Sequence, residues 1–409
     1  MNHLDKLISQ YCPNGVQWVK LNKLGRFYGG LTGKSKADFV NGNAKFISYK
    51  NIYNNPALDM DIQEYVCIKL EESQNIVQFG DILFTGSSET PDECGLSSVV
   101  NIQPTENLYL NSFCFGFRMS KPQLLDINFA KHLFRSRELR QRIAKTADGV
   151  TRFNVSKEKF AQISIPLPPL PIQQEIVRIL DSMTALIANL DSEIAPRQQQ
   201  YAHYHKQLLT FHQNVEWWSL GDVFEMRNGY TPSKSNSAFW EGGTIPWFRM
   251  EDIRENGRIL NDSIQHITLE AVKGNGLFEA GSFILATTAT IGEHALLIAD
   301  SLANQQFTNL KIRKSLKTKL LTKFVFYYFD IIDDFCKSHT NKSGFESVDM
   351  EALRKMHFPL PPLSIQQEIV AKLDAFESLL ATLRRERTLR QQQYEYYRER
   401  LLSFHNNTK

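Results

Sequence analysis

The sequence predicts an α+β chain: two α/β domains joined by two long antiparallel coiled-coil helices, with an internal pseudo-twofold repeat. Three observations carry this. Residues 166–212 (PLPPLPIQQEIVRILDSMTALIANLDSEIAPRQQQYAHYHKQLLTFH) and 359–405 (PLPPLSIQQEIVAKLDAFESLLATLRRERTLRQQQYEYYRERLLSFH) match at 27 of 47 positions, ungapped, at a constant offset of 193. So long a repeat marks two copies of one unit. Second, each copy opens on a Pro-rich strap and then runs without glycine, apolar residues recurring at spacings of three and four. Third, the stretches before and between the copies alternate β-like runs with Gly/Asn/Ser-rich loops and share a skeleton but little sequence. The resulting division is 1–165 (domain), 166–212 (helix), 213–358 (domain) and 359–409 (helix).

The helices come first because they repeat. Ile172, Ile176, Ile179, Met183, Leu186 and Leu190 form one stripe, continued by Tyr204, Leu208 and Phe211; Ile365, Ile369, Leu373, Phe376, Leu380 and Leu383 form the other. About 40 residues at a rise of roughly 1.5 Å give a rod of about 60 Å. A stripe that long is most simply buried by pairing the two rods. The alternative is an ordinary long helix on each domain. Ser364 and Gln367 fit a capping box. Pro171 stands in the equivalent place of the first copy, which implies a different start there. Pro196 is expected to kink or interrupt the first helix, since it removes an N–H and crowds the preceding turn. Residues 384–393 are strongly polar, so packing is thin there or something docks on them.

The first domain follows a short helix over residues 1–12, closed by Pro13-Asn14-Gly15. This opening matches the junction after the first rod: Leu7-Ile8 with Leu208-Leu209, and Trp18 with Trp217. The N-terminus therefore reads as a rod end feeding a domain. Strands are expected over 45–49, 81–84, 97–102 and 113–119, and a helix over 127–144. In the second domain strands are expected over 244–249, 282–286, 295–298 and 310–313, and a helix over 319–336. Gly80-Asp81-Ile82-Leu83 pairs with Gly281-Ser282-Phe283-Ile284, Asn111 with Asn304, and loop 149–156 with loop 342–349.

Composition narrows the class. Length (409 residues) suits two domains plus the rods, and 42% hydrophobic content is ordinary for globular protein. No run approaches a membrane span, and the N-terminus lacks the apolar core of a signal peptide. Five scattered cysteines without CxxC spacing suit a reducing cytoplasm and argue against zinc ribbons. A net charge of +3 diagnoses no partner, so any nucleic-acid surface must be local.

Catalytic motifs fail one by one. Gly29–Ser35 resembles a phosphate loop, but Tyr28 stands where the first glycine is needed. Pro168-Pro169 and Pro361-Pro362 lie between leucines, without the amide or carboxylate of an amino-methyltransferase tetrad. No GxGxxG loop follows a strand. His203 and His205 fall on different helix faces and read as surface residues, and Asp333-Asp334 and Glu251-Asp252 read as solvated charges. No catalytic residue, metal ligand or cofactor is assigned.

Binding signals are stronger. Arg135 to Lys159 carries eight basic residues against three acids, and Lys311 to Lys323 carries six against none. Such faces suit a phosphate backbone. Polar loops beside them can read base edges. The DNA-facing candidates are Lys34, Ser35, Lys36, Ser87, Ser88, Arg152 and Asn154 in the first domain. In the second they are Ser233, Lys234, Arg249, Thr288, Thr290, Gln305, Lys342 and Ser343.

Two divergent domains, each ending in PLPPL-x-IQQEIV and a helix closing QQQY…LL-[ST]-F, resemble the specificity subunit of type I restriction-modification enzymes over nearly the whole chain. The resemblance implies a non-catalytic subunit with two target-recognition domains, each reading half of a bipartite asymmetric double-stranded DNA site. The repeated helices would be an antiparallel spacer whose length sets the gap. Two methyltransferase (modification) subunits would dock on it, and restriction (nuclease and translocase) subunits would then join. A rival reading is a stand-alone DNA-binding coiled-coil adaptor. An enzyme with its methyltransferase or nuclease fused in one chain is disfavoured, because two domains and two rods use up the length.

Overall fold

The structure is a computed structural model describing residues 3–211, 215–341 and 346–406. It divides into two compact units. One holds the chain up to Glu193 together with the stretch from Leu383 onward; the other holds Ile194–Thr382. Each unit therefore contains one domain and a segment of both long helices.

In the first unit a four-stranded antiparallel sheet runs in the order Gly25–Gly29, Cys114–Met119, Ile82–Thr85, Ser97–Val99. A second sheet holds Tyr65–Val66, Ala44–Ile47, Leu108–Leu110 and Ile76–Val77, its central pair parallel. The expected helix over 127–144 is two helices, Ile127–Leu133 and Arg137–Ala144, parted at the buried Ser136. Phe84, Phe115, Phe117, Phe134 and Phe160 form the fully buried aromatic centre between sheet and helices.

The second unit repeats the plan with other side chains. Its main sheet runs Phe224–Asn228, Phe307–Ile312, Phe283–Ala286, His294–Leu297, Ile259–Leu260. Here the helical patch is one helix, Thr322–Ser338. The paired skeleton residues explain themselves. Gly80 and Gly281 both lie at positive φ (87° and 84°), where a side chain is disfavoured. The Asn111 and Asn304 amide oxygens each accept from the backbone N–H two residues on, closing the same turn.

A two-stranded ribbon closes each domain: Trp18–Lys20 with Ser164–Pro166, and Glu216–Ser219 with His357–Leu360. Trp18 faces Pro166 and Trp217 faces Pro359, so the matched tryptophans hold matched places. The ribbon hands the chain to the strap and the long helix. These helices span Leu170–Leu208 and Leu363–Leu402. Within the first unit Arg387 Nε lies 3.0 Å from Asp191 Oδ1, while Tyr394, Tyr397 and Leu401 pack on the core that contains Ile172, Ile176 and Leu180. Within the second, Tyr201 donates to Glu377 (3.0 Å), and Ile369 and Leu373 share a core with Leu209. In each unit one number rises as the other falls, so the segments run antiparallel. No described helix is long and apolar enough to cross a membrane.

Several expectations are corrected. The first helix is not interrupted at Pro196. Proline costs an interior helix about 3 kcal/mol, but buried contacts within each unit fix the helix on either side of it. Ser364 is no N-cap; it is the second residue of its helix. Both copies start alike, at Leu170 and Leu363, with N–H groups of the first turn donating to the Pro169 and Pro362 carbonyls. His205 is not a surface residue: its Nε2 lies 3.0 Å from Asp330, its side chain 13% exposed. Asp333 and Asp252 are buried as well. Asp333 accepts from the buried His294 (2.6 Å), and Asp252 accepts from the Arg249 and Ile264 N–H groups. His294, Asp330 and Asp333 lie close enough to share a cation. The guanidinium of Arg258, 2.5 Å from Asp330, already supplies one.

The first glutamine of each IQQEIV motif is fully buried and clamps helix to domain. Gln173 accepts from the Asp126 N–H and donates to the Leu124 and Pro168 carbonyls. Gln366 accepts from the Leu321 N–H and donates to the Lys319 and Pro361 carbonyls. Losing one buried partner costs about 1–3 kcal/mol. Gln173→Leu or Gln366→Leu should each destabilise its own unit by at least that much, read by urea unfolding; a change under about 0.5 kcal/mol would refute the clamp.

A further joint differs between the units. In the first, buried His132 places Nε2 2.6 Å from Asp181, which also binds Lys131, and Nδ1 3.0 Å from the Tyr394 hydroxyl. In the second, the Tyr327 hydroxyl takes that place on Asp374. Burial pushes His132 below its ordinary pKa, and this outweighs the neighbouring carboxylate, whose charge Lys131 already offsets. The unfolded chain then binds the extra proton first, so His132's contribution is full above about pH 6.5 and is lost as pH falls below it. The melting temperature should drop on acidification from pH 7.5 to 5.5, and less steeply in His132→Gln; equal slopes would refute the assignment.

Candidate nucleic-acid interface

In the first unit three candidates converge. Ser87–Ser88 pairs with Phe153–Val155, which places the 149–152 turn beside it. The result is a concavity of about 490 Å³ lined by Tyr49, Tyr53, Ser88, Phe113 and Arg152, among others. Arg152 donates to the Ser87 hydroxyl (3.2 Å), and its guanidinium stands 5.2 Å from the ring of the exposed Phe113. Tyr49 donates to the Ser87 carbonyl, and Tyr53 and Ser88 donate to the two oxygens of Glu93. These bonds hold the Glu93 carboxyl below its usual range, Tyr53 contributing most. A stacking face, a fixed guanidinium and an oriented carboxylate thus share one opening. Asn154, exposed, stands opposite Ser87 in the strand register.

Lys34 and Ser35 lie elsewhere, in a separate concavity of about 660 Å³ with Asp38, Lys69 and Glu72. Lys34 is committed: its ammonium binds Glu72 and the Cys67 carbonyl. Ser35 bonds Asp38 and starts a short turn. Lys36 is exposed.

In the second unit the candidates are linked through tryptophans. The Ser233 carbonyl accepts from Trp240, whose ring lies edge-on to Trp247 at 5.1 Å. The Arg249 guanidinium stands 5.9 Å from the Trp247 ring, and its Nε 3.9 Å from Glu251, too long for a hydrogen bond. Lys234 beside Ser233 is exposed, and Gln305, also exposed, accepts from Thr231. Thr288 bridges to Ser347. Ala289 follows in the left-handed region (φ 64°), a strained backbone for a residue with a Cβ. Next to it the enclosed Thr290 hydroxyl has no hydrogen-bond partner among the described residues. Lys342 and Ser343 lie outside the described residues.

The basic runs do not form continuous faces. Arg135 donates to the Ser97, Ile52 and Tyr53 carbonyls, and Arg140 to those of Gly95, Asp92 and Cys94. Burial brings both down to about 10, still charged at neutral pH. Arg142 pairs with Glu138 and Lys159 with Asp148. Arg137, Lys145, Arg152 and Lys157 remain exposed. In the second run Lys311 and Lys317 pair with Glu279, Lys323 pairs with Asp374, and Arg313 bonds the Gly221 carbonyl. Charge counting missed the carbonyl partners and the acids Glu279 and Asp374, which come from distant segments. It also missed Tyr49, Phe113 and the buried Trp247, whose places beside the polar loops are set by the fold.

Residues 13–195 and 213–390 each match the family described as the type I restriction modification DNA specificity domain. The type I restriction enzyme EcoprrI specificity subunit of Escherichia coli is 49% identical over 201 residues, 46% of this chain and 50% of that relative. The EcoR124I/EcoR124II specificity subunit of the same species is 36% identical over 266 residues, 60% of this chain and 64% of the relative. The matched stretch thus spans about half of the first relative's length and under two thirds of the second's. Among solved structures, a type I S subunit from M. genitalium aligns over 95% of this chain and 96% of its own, with TM-score 0.52 and 14% identity. A chain from a structure describing assembly and conformational transition of a type I system covers 95% and 96%, with TM-score 0.61 and 18% identity. These likenesses concern the fold. With two family matches that together cover most of its length, the chain belongs to the type I restriction-modification DNA specificity family.

Proposed function

We propose that this chain is the DNA sequence-recognition subunit of a type I restriction-modification complex in the cytoplasm. Residues 1–165 and 213–358 each read one half of a bipartite, asymmetric double-stranded site. Residues 166–212 and 359–409 form the spacer on which two methyltransferase subunits dock, and restriction subunits join them. The chain carries no catalytic group and needs no cofactor; methyl transfer and ATP-driven cleavage belong to the partners.

The observation that carries this reading is a shared skeleton with unlike tips. The glutamine clamp, the closing ribbon and the asparagine turn recur in both units. The polar loops do not: one unit offers Ser87, Ser88, Arg152 and Asn154 around tyrosines and Phe113. The other offers Ser233 and Arg249 around tryptophans, with Lys234 beside Ser233, Gln305 bonded to Thr231, and Thr288 and Thr290 elsewhere in the same unit. That is what one scaffold reading two different sequences requires. Lys342 and Ser343 join this set by sequence position. Lys34, Ser35 and Lys36 form the first loop of this set, Ser35 and Lys36 exposed and Lys34 bonded to Glu72.

Arg152 is the sharpest candidate, because a guanidinium held by a hydroxyl and a ring can present its fork to guanine O6 and N7. One such contact discriminates by about 1–3 kcal/mol. The test is methylated-base sequencing of the source cell with the gene deleted, restored, or restored as Arg152→Ala. A split N6-methyladenine motif should vanish and return with the gene. Arg152→Ala should relax one half-site and leave the other half and the gap unchanged. A motif independent of the gene overturns the function, and an unaltered motif in the variant overturns the role of Arg152.

A further inference from the structure

One carboxylate in the opening of the first unit is held without a cation. Glu93 ends the short turn Pro91–Glu93, and its two oxygens accept from the Tyr53 and Ser88 hydroxyls (2.8 and 2.9 Å). Tyr53 reaches it from the last turn of helix Tyr49–Asn54. Tyr53, Ser88 and Thr90 keep the carboxyl ionised, and no described Lys, Arg or His pairs with it. An ionised carboxyl has about four lone-pair sites. These bonds therefore aim it without saturating it.

The shared skeleton does not need this turn. The Thr85 N–H donates to the Leu96 carbonyl, and the Ala286 N–H to the Glu293 carbonyl, so the two hairpins close alike. Residues 86–95 make the connection in the first unit, against the shorter 287–292 in the second. The added length carries Glu93. Neighbouring serines of one strand then each hold one charged group: Ser87 accepts from Arg152, and Ser88 donates to Glu93. Glu89, exposed, lines the same opening, so its lining carries two carboxylates and one guanidinium. That balance repels a phosphate backbone and leaves base edges as the nucleic-acid groups it can accept.

We propose that Glu93 is a specificity-determining residue whose carboxylate accepts from the N4 amino group of a cytosine, in the half-site that Arg152 reads. An ionised carboxyl only accepts, and cytosine is the base whose major-groove edge offers a donor without an acceptor beside it. Adenine sets its N7 acceptor next to its amino group, where the second carboxylate oxygen would be repelled; guanine offers acceptors, and thymine an acceptor and a methyl group. The half-site read by the first domain therefore contains a G·C pair. The proposal rests on the reading that this domain contacts base edges.

The test is methylated-base sequencing of the source cell deleted for the gene and restored with the wild-type chain or with Glu93→Gln. Glutamine keeps the size of the side chain, but its amide donates as well as accepts, which suits adenine. With Glu93→Gln one cytosine of the affected half-site should cease to be required. Sites with adenine there should rise at least about fivefold in methylated fraction, while the other half-site and the gap stay as they are. An unaltered motif, a change at a base other than cytosine, or a wild-type motif with no G·C pair in either half-site overturns the proposal. Should Glu93→Gln erase all methylation, Tyr53→Phe, which removes only the aiming hydroxyl, decides: relaxation at a single cytosine supports the role, and an unaltered motif overturns it. An unaltered motif with weaker co-purification of the methyltransferase assigns the carboxylate to a protein contact and overturns base reading. A motif that persists after deletion of the gene overturns the recognition reading itself.

Discussion

A single buried amide side chain at the head of each long helix fixes the relation between helix and domain. Gln173 and Gln366 sit at full burial with three partners each: one N–H from the start of a domain helix, one carbonyl before it, and one carbonyl of the strap. Few other side chains could serve. The site needs one acceptor and two donors in a plane, uncharged, within an apolar core. Once it is satisfied, the register of the long helix against its domain is set. A one-residue slip would orphan three buried groups, in each of the two places.

Around that clamp the units divide into a part that must repeat and a part that need not. Ribbon, strap, turn and helix stripe recur because each closes hydrogen bonds or core surface with its neighbours. Elsewhere the same place holds different chemistry. Asp81, fully buried, binds Tyr28 and Arg118 in the first unit; in the second, Ser282 at the matching position binds Asn309. His132 on Asp181 becomes Tyr327 on Asp374. Each network is closed within itself, so one can be exchanged only as a set.

Much of this was legible in the sequence because periodicity and repetition are local signals. The two helices, their strap, the Gly80/Gly281 and Asn111/Asn304 pairs and most strands could be read directly. What could not be read is decided by partners far along the chain. Arg135 and Arg140 looked like surface charge, yet both are spent on carbonyls from 38 to 83 residues away, a separation with no trace in local composition. Pro196 looked like a break, because propensity takes no account of the packing that fixes the helix on both sides. Ser364 looked like a cap, because the motif cannot show that the helix begins two residues earlier than such a cap implies. Of the candidate interface, Ser87, Ser88 and Arg152, which share one opening, were named from the sequence as loop residues. The aromatic rings beside them were not, since exposure of Phe113 depends on where strands end.

The arginine clamps carry a consequence for how such a chain meets a polyanion. The formal charge is only +3, and two of the cations counted in it are buried against carbonyl oxygens. Others are neutralised at contact distance by acids. Little long-range field is left to draw a polyanion in from beyond a Debye length of roughly 8 Å. By itself the chain would therefore search slowly, making encounters that are short-range and easily lost. Any faster approach to a polyanion would have to come from charge carried by whatever is bound to the chain.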